Sequence, residues 1–352
     1  VVRFNEGLKP ATGITFASLL LAAAAIAAGS GEAGMAILSA GSRAAVGKFL
    51  AFSRVQEGTA DASGARYLSE AGITGKGSVQ FFKRLQNLEF RYGIKQEDSY
   101  ERTHPLSGER VSVLEDTYLA DPAWNNPLNP EWEAGFKRVK AKLKGYLGDP
   151  KSTLQQYPES DPSIAGHYAR AYAWHKSAYP KKALKEANAL VARSPNDPYF
   201  LELLGQIMLE SGRPQESLAS LRKATQLTNN HPLIAGILGH ALIATEDPEN
   251  FTEASKVLKA AVVKDNRNPF AWYQLGVVYS HQGDEPRAAL ATAERYLMIG
   301  APQLALPNSV KAMGGLKEYT PDWIRAQDIK LVAQAQVEQL CKKSRNRRRI
   351  RC

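Results

Sequence analysis

A chain of 352 residues has room for two or three domains, and its 44% hydrophobic and 23% charged content is ordinary globular composition, which excludes a wholly disordered or fibrous chain. The net charge of +10 points to nucleic acid only until it is located. The closing run Cys341-Lys-Lys-Ser-Arg-Asn-Arg-Arg-Arg-Ile-Arg-Cys352 holds seven Lys or Arg and no acid, so the remainder carries only +3. No aromatic residue interleaves with that run to stack on bases, so no nucleic-acid partner is expected and the run reads as a solvated tail. The two cysteines, Cys341 and Cys352, both lie in the tail and match no zinc or redox spacing.

Residues 11–31 carry no charge, and the apolar stretch from Ile14 to Ala28 follows Arg3 and Lys9. Three readings compete: a cleaved signal peptide, a membrane span, or an apolar helix inside a folded domain. The fifteen residues of that stretch are short for a hydrocarbon core about 30 Å thick, and alanine contributes little transfer energy. Gly29 to Gly34 punctuates the helix, and Met35 to Phe52 resumes a small-residue helical pattern that implies tight packing.

The stretch Val55 to Leu68 sets Glu57 and Asp61 four residues apart in a run of good helix formers, on one helical face. Such a pair repels itself by roughly a few tenths of a kcal/mol, so a compensating charge from outside the helix is expected. A divalent cation would supply it, with Glu57 as a direct ligand and Asp61 placed to accept the far ring N–H of a metal-bound histidine. The alternative is a solvated acidic edge. Gly72 reads as the C-cap of this helix, and Ser78 as the N-cap of another whose apolar face runs through Val79, Phe81, Phe82, Leu85 and Leu88. Residues 92–103 are polar and aperiodic, so His104 arrives on a loop, and Pro105 after it holds its backbone extended.

Taken together, Glu57-x-x-Ala-Asp61, then Tyr67 to Ile73, then Phe81-Phe-Lys-Arg-Leu85, then Thr103-His-Pro-Leu-Ser-Gly-Glu-Arg110 resemble, in order, the second half of the catalytic domain of peptidase family M48, the gluzincin zinc metalloendopeptidases. The resemblance covers residues 1–120. It implies a Zn2+ cofactor with Glu57 as the third zinc ligand and Asp61 as the carboxylate behind the ligands. His104 and Arg110 fall on the H-P-x-x-x-x-R loop near the metal, where the histidine either stabilises the oxyanion or reaches the zinc itself. The resemblance also favours a buried or membrane-surface helix for residues 14–28, ahead of a transmembrane one. The family's HExxH helix is absent: none of the six histidines, His104, His167, His175, His231, His240 and His281, has its spacing. The chain is therefore read as a fragment that starts after that helix and is expected not to hydrolyse peptides alone.

Residues 119–131 contain three prolines and three asparagines and cannot continue a helix. A basic amphipathic helix follows from Trp132 to Leu147, with Phe136, Val139, Leu143 and Tyr146 at helical spacing and Lys137, Arg138, Lys140, Lys142 and Lys144 expected on a solvated face. From Ser163 onward the chain repeats. Ala171, Gly205, Gly239 and Gly276 align at steps of 34, 34 and 37 residues, the last with three extra residues near Glu246 to Asn250. Leu204, Leu238 and Leu275 precede the small residue, Trp174, Met208, Leu242 and Tyr279 follow three later, and Ala183, Ser217, Ala254 and Ala288 open the second helix. Gly212 and Gly283 turn the chain, and Asn196-Asp-Pro198, Asn230-His-Pro232 and Arg267-Asn-Pro269 separate the units.

These positions resemble tetratricopeptide (TPR) repeats, in which stacked helix pairs form a groove for segments of other proteins. Tyr168, Arg170, Leu201, Gln206, Tyr273 and Gln274 are candidate groove residues, each with ordinary repeat packing as its alternative. The expected fold is all-α: a partial zinc metallopeptidase helical domain over 1–120, a linker and basic helix over 121–162, a four-repeat TPR α-solenoid over 163–301, a helical cap over 302–340 and a basic tail over 341–352. The resemblances imply a metalloendopeptidase of the bacterial periplasm, with protein or peptide substrates in the groove, a part in outer-membrane protein assembly or quality control, and contact with the assembly machinery and a membrane surface. The rival is a non-catalytic TPR scaffold or chaperone with a degenerate protease domain.

Overall fold

The computed structural model describes residues 2–93 and 108–346, with side chains over residues 9–93, 108 and 110–342. Among them all regular structure is helical, with no strand. The chain divides into two compact units, residues 1–133 and 134–352.

The first unit opens with a helical hairpin, α1 (Val2–Ala27) and α2 (Gly31–Glu70), turned at Gly29, whose φ of 90° suits glycine. The two helices meet along small residues. A Cβ on Gly41 would fall 2.1 Å from Ser18 Cβ, and one on Gly34 2.4 Å from Ile26 Cγ1, so glycine is what permits the approach. Ala22 and Ala45 fill the same buried seam. The large apolar residues lie outside it: Phe16 is 66% exposed and Leu20 64%. Of the two expected alternatives, a buried or a membrane-surface helix, the buried one is thus corrected, because a hairpin covers only the facing side of each helix. The stretch Lys9–Ala27 and the helix Gly31–Glu70 are long and apolar enough to cross a membrane.

Nothing between Met35 and Leu68 breaks the helix, so the two expected stretches merge into the single α2 of 40 residues, which ends before Gly72 at φ 66°. Next come α3 (Lys76–Arg91), α4 (Gly108–Leu119) and a 3-10 turn at Pro122–Asn125. Ser78 does not cap α3. Gly75 occupies that position, since a Cβ there would overlap the Tyr118 ring at 2.0 Å, while Ser78 sits inside the first turn, where its Oγ accepts from the Tyr118 hydroxyl at 3.3 Å. Ala65, Val79, Leu114 and Tyr118 form the small core, with Leu68, Phe82 and Trp124 against it.

Helix α5 (Pro130–Leu147) starts at the end of the first unit and continues into the second, which goes on with α6 (Pro150–Gln156) and four helix pairs. The first members are α7 (Ile164–Lys176), α9 (Pro198–Glu210), α11 (Pro232–Ala244) and α13 (Pro269–His281), each of 13 residues. The second members are α8 (Pro180–Arg193), α10 (Pro214–Leu227), α12 (Pro248–Lys264) and α14 (Glu285–Met298), of 14, 14, 17 and 14 residues. The three extra residues of the third repeat therefore lengthen α12 by almost a turn at its start and leave the loop before it unchanged. Ala171, Gly205, Gly239 and Gly276 each fall at the eighth residue of a first helix, and a Cβ on Gly205 or Gly239 would meet Leu221 or Leu258 of the paired helix at 2.5 Å. Asp197 and Asn268 cap α9 and α13 ahead of a proline at the first helical position. Helices α15 (Pro302–Gly315) and α16 (Pro321–Asn346) cover the last pair through Ala305, Ala312, Ala326, Ile329 and Ala333.

Each pair turns through three residues with a left-handed middle one: Ala178 (φ 59°), Gly212 (76°), Glu246 (57°) and Gly283 (74°). The Tyr179 N–H donates to the Trp174 carbonyl, as Arg213 does to Met208 and Asp284 to Tyr279, closing a Schellman-type end. A Cβ costs roughly 1 kcal/mol in this conformation. Ala178→Gly is therefore expected to stabilise the array by about 0.5–1 kcal/mol and Gly212→Ala to destabilise it by about 1 kcal/mol, read as urea midpoints.

At the start of the array, buried Arg170 donates to the carbonyls of Pro158 (2.7 Å) and Asp161 (2.9 Å) and to Glu186 Oε2 (3.0 Å), which also meets His167 Nδ1 at 2.6 Å. Burial opposes the Glu186 charge, but the hydrogen bonds from Arg170 and His167 outweigh it and hold the carboxyl below its ordinary value of 4.5. A lowered folded-state pKa gives stability that is present above the unfolded value and lost as pH falls through the folded one. Glu186→Gln should accordingly flatten the part of the acid unfolding curve below pH 4.5, measured by circular dichroism.

Candidate functional site

Glu57 and Asp61 lie one turn apart on α2, half-buried, and the charge that compensates them comes from the first turn of α4. Arg110 Nε donates to Asp61 Oδ2 at 2.5 Å and Nη2 to Asp61 Oδ1 at 2.8 Å, while Nη2 lies 3.1 Å from Glu57 Oε2. The fork is bidentate on Asp61, the geometry a planar guanidinium favours. Its other side rests on Phe82 of α3, 5.2 Å from ring centroid to guanidinium carbon. The Asp61 hydrogen bonds, with Glu57 adding to them against the opposing effect of burial, raise the Arg110 pKa above its ordinary value. A cleft of 510 Å³ opens beside this cluster, with Arg54, Glu57, Asp61, Arg66, Arg110 and Val113 on its walls.

The expected counter-charge was a divalent cation; the structure has a guanidinium. Three of the four site residues read from the sequence, Glu57, Asp61 and Arg110, come together, and the fourth, His104, lies outside the described residues. Phe82 under Arg110 was missed as a site residue, because its spacing reads only as core. Arg54, three residues before Glu57 on the same helix, was missed as well, though its position in the sequence was a usable signal.

The array corrects the groove. Tyr168, Arg170, Leu201 and Gln274 are buried in repeat packing, Gln206 is half-buried and donates to Glu210 at 2.8 Å, and Tyr273 is exposed. Helical spacing gave the face but not what covers it. Tyr199, Leu233 and Phe270 are the exposed apolar residues at the second positions of α9, α11 and α13. Tyr273, Val277 and Ser280 of α13 line a 270 Å³ cleft with Asn308 and Lys311 of α15. His175 Nε2 reaches Glu210 Oε2 at 2.6 Å across the first two repeats.

Over those two repeats α5 occupies the first-helix face. Arg138 takes Asp197 with both terminal nitrogens, Nη2 to Oδ1 at 2.6 Å, and stacks 4.1 Å from the Phe200 centroid. Lys142 lies 3.7 Å from Glu202, whose carboxyl burial pushes above its ordinary value although the lysine opposes this. Gly145 lets the helices touch, since a Cβ there would stand 2.8 Å from the Ala169 carbonyl oxygen. Two of the five cations expected on a solvated face are thus pinned to the array, and the lone acids Asp197 and Glu202 near an apolar helix were the available signal.

Removing Arg110 leaves two half-buried carboxylates facing each other. Arg110→Ala is expected to destabilise the first unit by about 1–3 kcal/mol at neutral pH, and Arg110→Lys to recover only part of that, since an ammonium cannot fork. Urea unfolding followed by circular dichroism checks both.

Comparison with known proteins bears on both units. The model of peptidase family M48 matches residues 4–118, and that of the tetratricopeptide repeat matches residues 180–232 and 247–305. The chain is 25% identical over 309 residues to the beta-barrel assembly-enhancing protease of Yersinia pestis, covering 84% of this chain and 60% of that protein. The protein of the same name from Escherichia coli K12 is 23% identical over 293 residues, covering 80% and 56%. The chain thus spans a little over half the length of these relatives. Among solved structures, MamA aligns with TM-score 0.37 at 20% identity (49% of this chain, 96% of that one), and the TPR protein YrrB with 0.40 at 18% (51% and 92%). Residues 4–118 thus match peptidase family M48, and the chain joins that segment to an array of tetratricopeptide repeats.

Proposed function

We propose that this chain serves a peptidase of outer-membrane protein assembly or quality control, acting in the bacterial periplasm at the membrane, with the repeat array capturing protein segments. The observation that carries the reading is the convergence of Glu57, Asp61 and Arg110 beside a 510 Å³ cleft, inside the segment matched by the M48 family. The relatives' printed name, beta-barrel assembly-enhancing protease, supports the assembly role and unfolded β-barrel proteins as the substrate class.

Within this reading Arg110 binds Glu57 and Asp61 and fixes their orientation beside the cleft. Endopeptidase activity would rest on zinc, assigned to Glu57 with Asp61 behind it and His104 as the nitrogen donor nearest in sequence. The described residues do not by themselves fit such a centre. Their two carboxylates are already bound to a guanidinium, and among them no group of three His, Cys, Asp or Glu side chains converges on one point. No catalytic step is therefore derived through the metal. The same guanidinium-bound pair favours a second reading, a non-catalytic TPR scaffold.

One substitution separates the two. In the protein expressed from its own gene, the parent should degrade an unfolded outer-membrane β-barrel protein and Glu57→Gln should abolish that degradation while circular dichroism stays unchanged; a parent that degrades nothing leaves only the scaffold, and degradation at the parent rate in the variant removes Glu57 from the site. Under either reading Phe270→Glu with Tyr273→Glu should weaken binding of the same unfolded protein by about tenfold or more, as loss of two apolar anchors predicts.

A further inference from the structure

Helix α5 has a second face that the array leaves bare. Arg138, Ala141, Lys142 and Gly145 meet α7 and α9, and at about 100° per residue Phe136, Val139, Leu143 and Leu147 fall within an arc of roughly 80° turned away from them. These four are 62%, 56%, 51% and 71% exposed. Lys140, Lys144 and Lys137 follow within about the next 80° of the helix. With Arg138 and Lys142 engaged by Asp197 and Glu202, and half-buried Lys144 donating to Ser152 Oγ at 3.1 Å, Lys137 and Lys140 are the exposed cations of this edge, and neither forms an ion pair among the described residues.

We propose that this stripe seats α5 on the surface of an anionic lipid bilayer. A short helix with large apolar residues on one arc and lysines beside it lies in the interface plane: the apolar arc enters the boundary of the acyl chains and the ammonium groups remain at the level of lipid phosphates. Charge decides for lipid over an apolar protein face. Two exposed lysines, Lys137 and Lys140, bordering one edge would be buried without partners against an uncharged protein surface, whereas anionic headgroups provide them continuously. The opposite face of the same helix is fastened to α9 by Arg138 and Lys142, so membrane contact would hold the array at the bilayer without a spanning segment in this part of the chain.

Flotation of the full chain with vesicles tests this directly, using phosphatidylcholine with about 30 per cent phosphatidylglycerol against phosphatidylcholine alone. The protein should float with the anionic vesicles, and Phe136→Asp with Leu143→Asp should reduce its partitioning by about tenfold or more. Lys137→Glu with Lys140→Glu should reduce it on anionic vesicles and leave the neutral ones unaffected. All four positions are exposed, so helix content by circular dichroism should match the parent. A parent that fails to float, or variants that float as well as the parent because α1 and α2 hold the chain, overturns the proposal. So does a stripe that pairs with a second copy, seen in sedimentation velocity as a dimer lost in the aspartate variant.

Discussion

The geometry of the first unit depends on one electrostatic constraint: two carboxylates on one face of α2 cannot approach burial without a cation, and Arg110 is the cation that reaches them. The contact joins residues 49 apart in sequence and so fixes where α4 begins relative to α2. Its strength comes from geometry as well as charge. The guanidinium plane rests on Phe82, its Nε and Nη2 fork takes Asp61, and Nη2 is shared with Glu57. The cleft beside it exists because α2 carries Gly58 and Ala62 between and after the acids, residues too small to close it.

Close approach through small residues is the second recurring device, and its consequences differ between the units. In α1 and α2, Gly34 and Gly41 let two helices touch but present their large residues outward. In the array Gly205 and Gly239 do the same within each pair, yet the next pair then covers what the first leaves open, so Leu203, Ile207, Leu238 and Leu242 are buried. The same local rule yields an exposed apolar hairpin in one case and a continuous core in the other because only the solenoid repeats.

Much of this was legible in the sequence, for identifiable reasons. The repeat spacing, the small eighth residue and the Asp-Pro and Asn-Pro starts are strictly local, and they located the helix pairs. Glu57, Asp61 and Arg110 were legible as candidates because their order along the chain resembles that of peptidase family M48, and α2 and α4 bring the three together. What satisfied the acids was not, since a divalent ion and a guanidinium are equally good answers to a pair of negative charges until α4 is placed. The groove residues failed for a related reason. Periodicity assigns Tyr168 and Arg170 to a helix face, but their burial follows from Glu186 on α8 and from Arg138 and Lys142 on α5, none of which the repeat pattern specifies.

The division of labour on α5 shows where such reading must stop. Five cations within Lys137 to Lys144 look alike in sequence, and their alternation with Val139, Ala141 and Leu143 suggests a single solvated edge. Asp197 and Glu202, more than fifty residues away, draw Arg138 and Lys142 inward, where burial makes each pair costly to leave unmade. Once those two cations set the rotation of the helix, the positions of all the others follow. Lys137 and Lys140 face outward with the apolar arc beside them, while Lys144 turns to Ser152, so one acid at the cap of α9 and one within it determine which surface α5 presents.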